Sequence, residues 1–126
     1  LSKFPQDIQE HMQELIDKTQ EYTAINVNIA LNYGGREEIL RAARTLIETK
    51  QPITEQTFSD ALYSHGQPDP DLIVRTGGKQ RLSGYLPWQS VYRELYFTET
   101  LWPDFDIKAF DEALADFAKR KRTFGK

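Results

Sequence analysis

The residue pattern predicts an α/β fold, a mostly parallel sheet flanked by helices, and an incomplete one. Strand-like and helical periods take turns along the chain, the order that lays helices over a mostly parallel sheet. Leu72-Ile73-Val74 is a continuous apolar run, the mark of a strand covered on both faces, as parallel strands are. Only three strand candidates are visible in 126 residues, where such a sheet has roughly five. Bare sheet edges invite pairing or aggregation, so either a partner chain covers them or part of the domain is missing.

The elements follow in chain order. Ile8, Met12, Leu15 and Ile16 recur at helical spacing between Pro5 and Tyr22, and Pro5 suits a helix start, so an amphipathic helix opens near it. Residues 25–33 alternate, with Ile25, Val27, Ile29 and Leu31 on one side and Asn26, Asn28 and Asn32 on the other, which predicts a strand. The asparagines either line a polar cavity or occupy a solvated face. Gly34-Gly35 breaks this run, and Ile39, Leu40, Ala43, Leu46 and Ile47 mark a second helix that ends before Pro52. Thr54 is an N-cap candidate for a short helix carrying Phe58, Ala61 and Leu62. Gln67-Pro68-Asp69-Pro70 ends that helix and forces an extended entry into residues 71–75. A Gly-rich loop follows, then a helical stretch over 85–92, a strand over 94–98, and a last helix capped by Asp106 with Ile107, Phe110, Leu114 and Phe117 on one face.

Composition excludes several function classes. Lys and Arg number 16 against 19 Asp and Glu, a net charge of -3, which argues against a dedicated nucleic-acid binder while leaving room for a local phosphate site. There is no cysteine, hence no disulfide scaffold, thiolate metal site or cysteine nucleophile. No window approaches the roughly 18 apolar residues of a spanning helix. The start lacks a basic-then-apolar secretory pattern, so the expected location is cytoplasmic. The chain opens on Leu1 with no initiator Met, which points to a processed or truncated product.

The most informative stretch is Arg75-Thr76-Gly77-Gly78-Lys79-Gln80-Arg81-Leu82-Ser83, at the end of a predicted strand, where open α/β sheets bind ligands. From Leu72 through Arg93 there is no Asp or Glu, whereas Arg75, Lys79, Arg81 and Arg93 are basic. Gly77 and Gly78 allow backbone amides to turn inward as an anion nest. Arg75 and Arg81 offer planar forks for phosphate oxygens, and Ser83 a hydroxyl donor. Together they suit a diphosphate; the bland alternative is a glycine turn with solvated arginines. Glu94, just past this window, is read either as one oxygen ligand of a divalent cation beside the phosphates or as a surface ion pair with Arg93. Asp69 and Asp71 sit in a Pro-rich setting that favours turn chemistry. His11 and His65 have no ligand-like spacing and read as surface residues. Trp88, Tyr92, Tyr96, Phe97, Trp102 and Phe105 form a dense aromatic segment suited to core packing or a subunit interface. Lys119-Arg120-Lys121-Arg122 either satisfies a helix end, attracts an anionic membrane, reaches a diphosphate or is a solvated tail.

Three segments resemble a known family: 28–36 (Asn28 to Arg36), 70–78 (Pro70 to Gly78) and Glu94 to Thr98 followed by Leu101 to Phe105. They resemble, in order and across essentially the whole chain, the cis-prenyltransferases, whose bacterial members are undecaprenyl diphosphate synthases. The resemblance implies that isopentenyl diphosphate units are added, with cis double bonds, to an allylic (farnesyl) diphosphate primer, giving a lipid carrier for cell-wall assembly. It implies that Arg75, Arg81 and Ser83 bind the diphosphate of isopentenyl diphosphate, with the Leu82 backbone between them. It matches Glu94 to a Mg²⁺-binding glutamate. It implies a homodimer with the aromatic segment near the interface, a basic tail reaching a neighbouring active site, and peripheral membrane contact through the product.

The chain also departs from the family. Nothing matches the family's N-terminal H-x-x-x-D-G-N-G-R-W-like segment, whose aspartate and arginines serve the allylic diphosphate, so residues 1–126 read as the C-terminal portion of a single catalytic domain. No catalytic aspartate is therefore expected in this chain, and alone it should be inactive. Thr123-Phe124-Gly125 stands where the family often has R-x-G, with Arg122 adjacent, and Lys79 replaces a common acidic residue. The rival reading is a non-catalytic accessory subunit of a heteromeric cis-prenyltransferase. A generic nucleotide binder lacks the G-x-x-x-x-G-K-[ST] loop.

Overall fold

A computed structural model describes residues 3–121, in two units: one up to Leu31 and one from Asn32 onward. The first unit holds α1 (Gln6–Thr19), with Pro5 at its N-cap position. The expected apolar stripe is present, but Ile8, Leu15 and Ile16 are 40–53% exposed. The segment after it overturns an expectation. Residues 25–31 form no strand, and Asn26 and Asn28 are exposed together with Ile25, Val27 and Ile29. A strand exists only as one of a hydrogen-bonded pair, and among the described residues this segment has no ladder partner; alternation states a capacity that the missing neighbour leaves unused.

The second unit holds α2 (Gly35–Glu48), α3 (Glu55–Asp60), β1 (Leu72–Arg75), β2 (Glu94–Phe97), a short 3₁₀ turn (Trp102–Asp104) and α4 (Ile107–Lys119). Thr54 caps α3 as expected, accepting from the Thr57 N–H while Thr57 returns a bond to the Thr54 N–H. Asp106 caps α4 by accepting from the Ala109 N–H at 2.9 Å. α2 and α3 close the main core, where Ala42, Leu46, Phe58 and Leu62 are buried and Ile39, Ala43, Ala61 and Trp88 pack against them. Trp88 lies 4.5 Å from the Phe58 ring and donates its indole N–H to Ser59 Oγ at 3.0 Å, so the polar end of this large side chain is satisfied.

β1 and β2 pair in parallel, Leu72 opposite Glu94 and Arg75 opposite Phe97, in a two-stranded sheet. The apolar run of β1 predicted burial on both faces, but only Ile73 is buried, because two strands with α4 against β2 leave much of the sheet uncovered. The helix expected over 85–92 is a series of turns. Pro87 lacks an N–H to donate, and Leu86 sits at a positive φ of 46°, which breaks helical geometry at its start. The strand expected over 94–98 and the helices around Ile39–Ile47 and Ile107–Phe117 are present.

Candidate functional site

β1 ends on Arg75, and this carboxyl edge opens a shallow cleft of about 160 Å³ lined by Ile73, Val74, Arg75, Arg81, Leu82 and Tyr85. The Arg75 guanidinium folds over the loop. Its Nη1 donates to the Arg81 carbonyl and to Ser83 Oγ, the latter at 2.8 Å. The two arginines and Ser83, singled out from sequence, are therefore brought together, with Leu82 between them on the cleft wall. Among the described residues no carboxylate forms an ion pair with Arg75 or Arg81. Arg75 thus keeps its charge uncancelled beside Arg81 and Ser83, an arrangement that suits an anionic group, and its bonds fix one fork before any ligand arrives. Tyr85, part of the cleft lining, was not among the residues that spacing marked.

The double glycine does not work as a nest. Gly77 and Gly78 have φ of 83° and 72°, but their N–H groups donate to the Thr100 and Thr98 carbonyls, each at 2.9 Å. These bonds tie the end of β1 to the chain after β2. The glycines are needed for the left-handed turn, not for the anion. Arg93 is also withdrawn from the cluster. It pairs with Asp69 at 2.7 Å and donates to the Gln89 carbonyl, so the expected Arg93–Glu94 pair is replaced by Arg93–Asp69, and Asp69 does more than turn the chain. Lys79 is exposed, and His65 lies 3.5 Å from Asp60 on the surface.

Glu94 begins β2 at the opposite end of the ladder from Arg75. It pairs with Leu72, and side chains alternate along a strand, so Glu94 also faces the side opposite Arg75. Its Oε2 accepts from Arg120 Nη1 at 2.8 Å; Arg120 also donates to the Leu95 carbonyl and to Asp116 at 2.6 Å. These two carboxylates hold the Arg120 guanidinium above its ordinary pKa. Of the choices for the basic C-terminal run, Arg120 thus clasps α4 to β2; Arg122, Thr123, Phe124, Gly125 and Lys126 lie outside the described residues. No cluster of three metal-ligating side chains occurs among the described residues, and the one carboxylate that the resemblance assigns is on the other face, engaged by Arg120.

Sequence reasoning also missed a polar cluster behind the cleft. Glu38, in the first turn of α2, is fully buried. It accepts from the Tyr33 hydroxyl, from the Tyr63 N–H at 2.8 Å and from Gln89 Nε2 at 3.4 Å. Burial first, and then the bond to Glu38, push the Tyr33 phenol far above its ordinary pKa. No local signal separates Glu38 from Glu37, because both suit the start of a helix; only the packing of residues 84–89 onto α2 buries one of them. The aromatic segment divides likewise. Trp88 is in the core, whereas Trp102 stacks on Phe105 with centroids 6.4 Å apart and is 76% exposed.

Comparison with known proteins bears on this arrangement. The family described as "Putative undecaprenyl diphosphate synthase" matches residues 1–125. An isoprenyl transferase of Treponema denticola is 46% identical over 126 residues, covering 99% of this chain and 56% of the relative. Isoprenyl transferase 1 of Corynebacterium diphtheriae is 42% identical, covering 100% of this chain and 52% of its own. The chain thus spans about half the length of the curated relatives it matches. Among solved structures, a probable undecaprenyl diphosphate synthase from Campylobacter jejuni superposes with a TM-score of 0.86 at 39% identity, over 100% of this chain and 60% of that one. A lavandulyl diphosphate synthase from Lavandula x intermedia, in complex with dimethylallyl diphosphate, gives 0.92 at 35% identity, over 99% and 57%. The fold is therefore part of a prenyltransferase fold, and the chain belongs to the undecaprenyl diphosphate synthase family of isoprenyl transferases.

Proposed function

We propose that the protein condenses isopentenyl diphosphate with an allylic diphosphate such as farnesyl diphosphate, making a long cis-polyprenyl diphosphate for a cell-wall lipid carrier. In this reading residues 1–126 supply the isopentenyl diphosphate half-site. The observation that carries it is the cleft where Arg75 bonds the Arg81 carbonyl and the Ser83 hydroxyl, and where neither arginine pairs with a carboxylate among the described residues. The two guanidiniums hold the diphosphate oxygens, the Ser83 hydroxyl donates a further bond, and Leu82 and Tyr85 wall the cleft. Fixing this headgroup aims the isopentenyl double bond at the allylic carbon. There a carbon–carbon bond forms, the allylic carbon–oxygen bond breaks with its electrons leaving on diphosphate, and the isopentenyl unit loses a proton. The allylic half-site is contributed from outside this chain, so the chain alone turns nothing over.

Magnesium, which the resemblance implies, supplies charge neutralisation in the reaction of the whole protein. The protein is proposed to act as a homodimer in the cytoplasm, touching the membrane only through its product. Exposed apolar residues Trp102, Phe110 and Leu114 support a second chain on that side, and no described helix is long and apolar enough to cross a membrane.

The test is to incubate the complete gene product, and separately the 126-residue chain, with farnesyl and isopentenyl diphosphates and Mg²⁺. Polyprenyl product from the former and none from the latter is the expected result. Equal turnover by the short chain refutes the half-site reading. The second reading, a non-catalytic accessory subunit, is favoured by the Glu94 carboxylate being engaged by Arg120; it predicts that the complete product makes polyprenyl diphosphate only when a partner chain is added.

A further inference from the structure

We infer that Tyr33 is a positioning residue for the cleft: its hydroxyl and ring set the loop that presents Arg81 and Ser83 to a diphosphate. The inference rests on the proposed half-site and adds a residue that touches no ligand. Tyr33 stands between the first turn of α2 and residues 82–86. On one side its hydroxyl donates to Glu38, a carboxylate held rigid by complete burial and by the bonds from Tyr63 and Gln89. On the other side it meets the loop through its ring. Its ring meets Tyr85 edge-on, centroids 5.7 Å apart at 75°, and Tyr85 lines the cleft and donates its N–H to the Leu82 carbonyl at 3.0 Å.

The loop needs such support. Ser83 and Leu86 both lie in the left-handed region, at φ of 52° and 46°, a conformation that costs a non-glycine residue free energy and persists where the surroundings impose it. Leu86 follows Tyr85, whose ring Tyr33 packs against, and Ser83 is the residue Arg75 bonds. The Gly35 N–H holds the same loop by donating to the Gly84 carbonyl at 3.0 Å. Tyr33 thus ties a fixed buried anion to a strained loop whose far end carries the ligand-binding groups.

The experiment uses the complete protein, with inorganic pyrophosphate titrated calorimetrically and steady-state kinetics alongside. Tyr33→Phe keeps the ring and removes the hydrogen bond to Glu38 that anchors it. It should weaken pyrophosphate, and raise KM for isopentenyl diphosphate, about tenfold, the scale of one hydrogen bond. Both kcat and KM for the allylic substrate should stay within about twofold. Gln89→Met removes another donor to the same carboxylate without touching the Tyr33 hydroxyl or ring, and should lower Tm while leaving pyrophosphate affinity intact. Full pyrophosphate affinity in Tyr33→Phe, with affinity lost in Arg81→Ala, overturns the inference and leaves the cleft reading standing. Equal losses of affinity in Tyr33→Phe and Gln89→Met reduce Tyr33 to general stability and also overturn it. If the wild-type protein binds no pyrophosphate, the cleft reading fails and this inference fails with it.

Discussion

The cleft at Arg75 and the clasp at Arg120 are built from the same chemistry and have opposite charge balance. In the clasp, one guanidinium meets two carboxylates and a carbonyl, so its charge is spent inside the protein and joins α4 to β2. In the cleft, what the Arg75 guanidinium bonds is neutral, a carbonyl and a hydroxyl. A neutral acceptor orients a guanidinium without cancelling its charge, whereas a carboxylate does both. The location of carboxylates, more than that of arginines, separates a structural contact from an anion site.

The largest perturbation attacks the support of the cleft. A Cβ at Gly35 would lie 2.2 Å from Pro87 Cδ and 2.5 Å from the Gly84 carbonyl, so α2 and the 84–87 loop must part. Gly35→Ala should cost about 3 kcal/mol of stability, at the severe end of overpacking, and abolish pyrophosphate binding. Chemical denaturation with a parallel titration measures both, and an unchanged denaturation midpoint would show that the loop does not rest on α2 in solution.

A smaller effect, confined to binding, belongs to Arg81. Arg81→Ala in the complete protein should weaken isopentenyl diphosphate by about 1.5–3 kcal/mol, the scale of a charged hydrogen bond, with little change in Tm. An unaltered KM would take Arg81 out of the site and erase the contrast with the clasp.

The clasp predicts the reverse pattern. Glu94→Gln should cost about 1 kcal/mol of stability, as for a half-exposed pair, and leave metal-free pyrophosphate affinity unchanged. Loss of Mg²⁺-dependent turnover at full stability would instead give Glu94 the metal role that the resemblance implies.

The smallest effect is a pH dependence. Folding raises the Tyr33 pKa, chiefly by burial and then by the bond to Glu38. The stabilisation that follows is complete below the ordinary phenol value near 10 and is lost as the pH rises through the folded-state value. Stability should therefore fall in alkali more steeply for wild type than for Tyr33→Phe; identical slopes in alkaline denaturation curves would contradict the buried bond.

Much of this was legible in the residue order. Thr54 and Asp106 cap the helices that their positions announced, and Leu72-Ile73-Val74 is a parallel strand that leads into the basic loop. Arg75, Arg81 and Ser83 could be chosen because the run from Leu72 to Arg93 holds no acid, which is a local property. The errors share one cause. Gly77 and Gly78 looked like a nest until Thr98 and Thr100 took their N–H groups, and the expected Arg93–Glu94 pair gave way to Arg93–Asp69 and Arg120–Glu94. Residues 25–31 alternate like a strand but lack a neighbour to pair with.

The amino-acid order by itself determined where chain direction changes, that the segments of α1 to α4 are helical, and which stretch lacks negative charge. Those follow from dihedral preference, periodicity and composition, all settled within a few residues. Only the tertiary structure decided which donors were already taken, which of two adjacent glutamates was buried, and on which face each strand residue fell. Each of those depends on a partner distant in the chain, and hydrogen bonds and ion pairs act only between groups that packing has brought within a few ångströms.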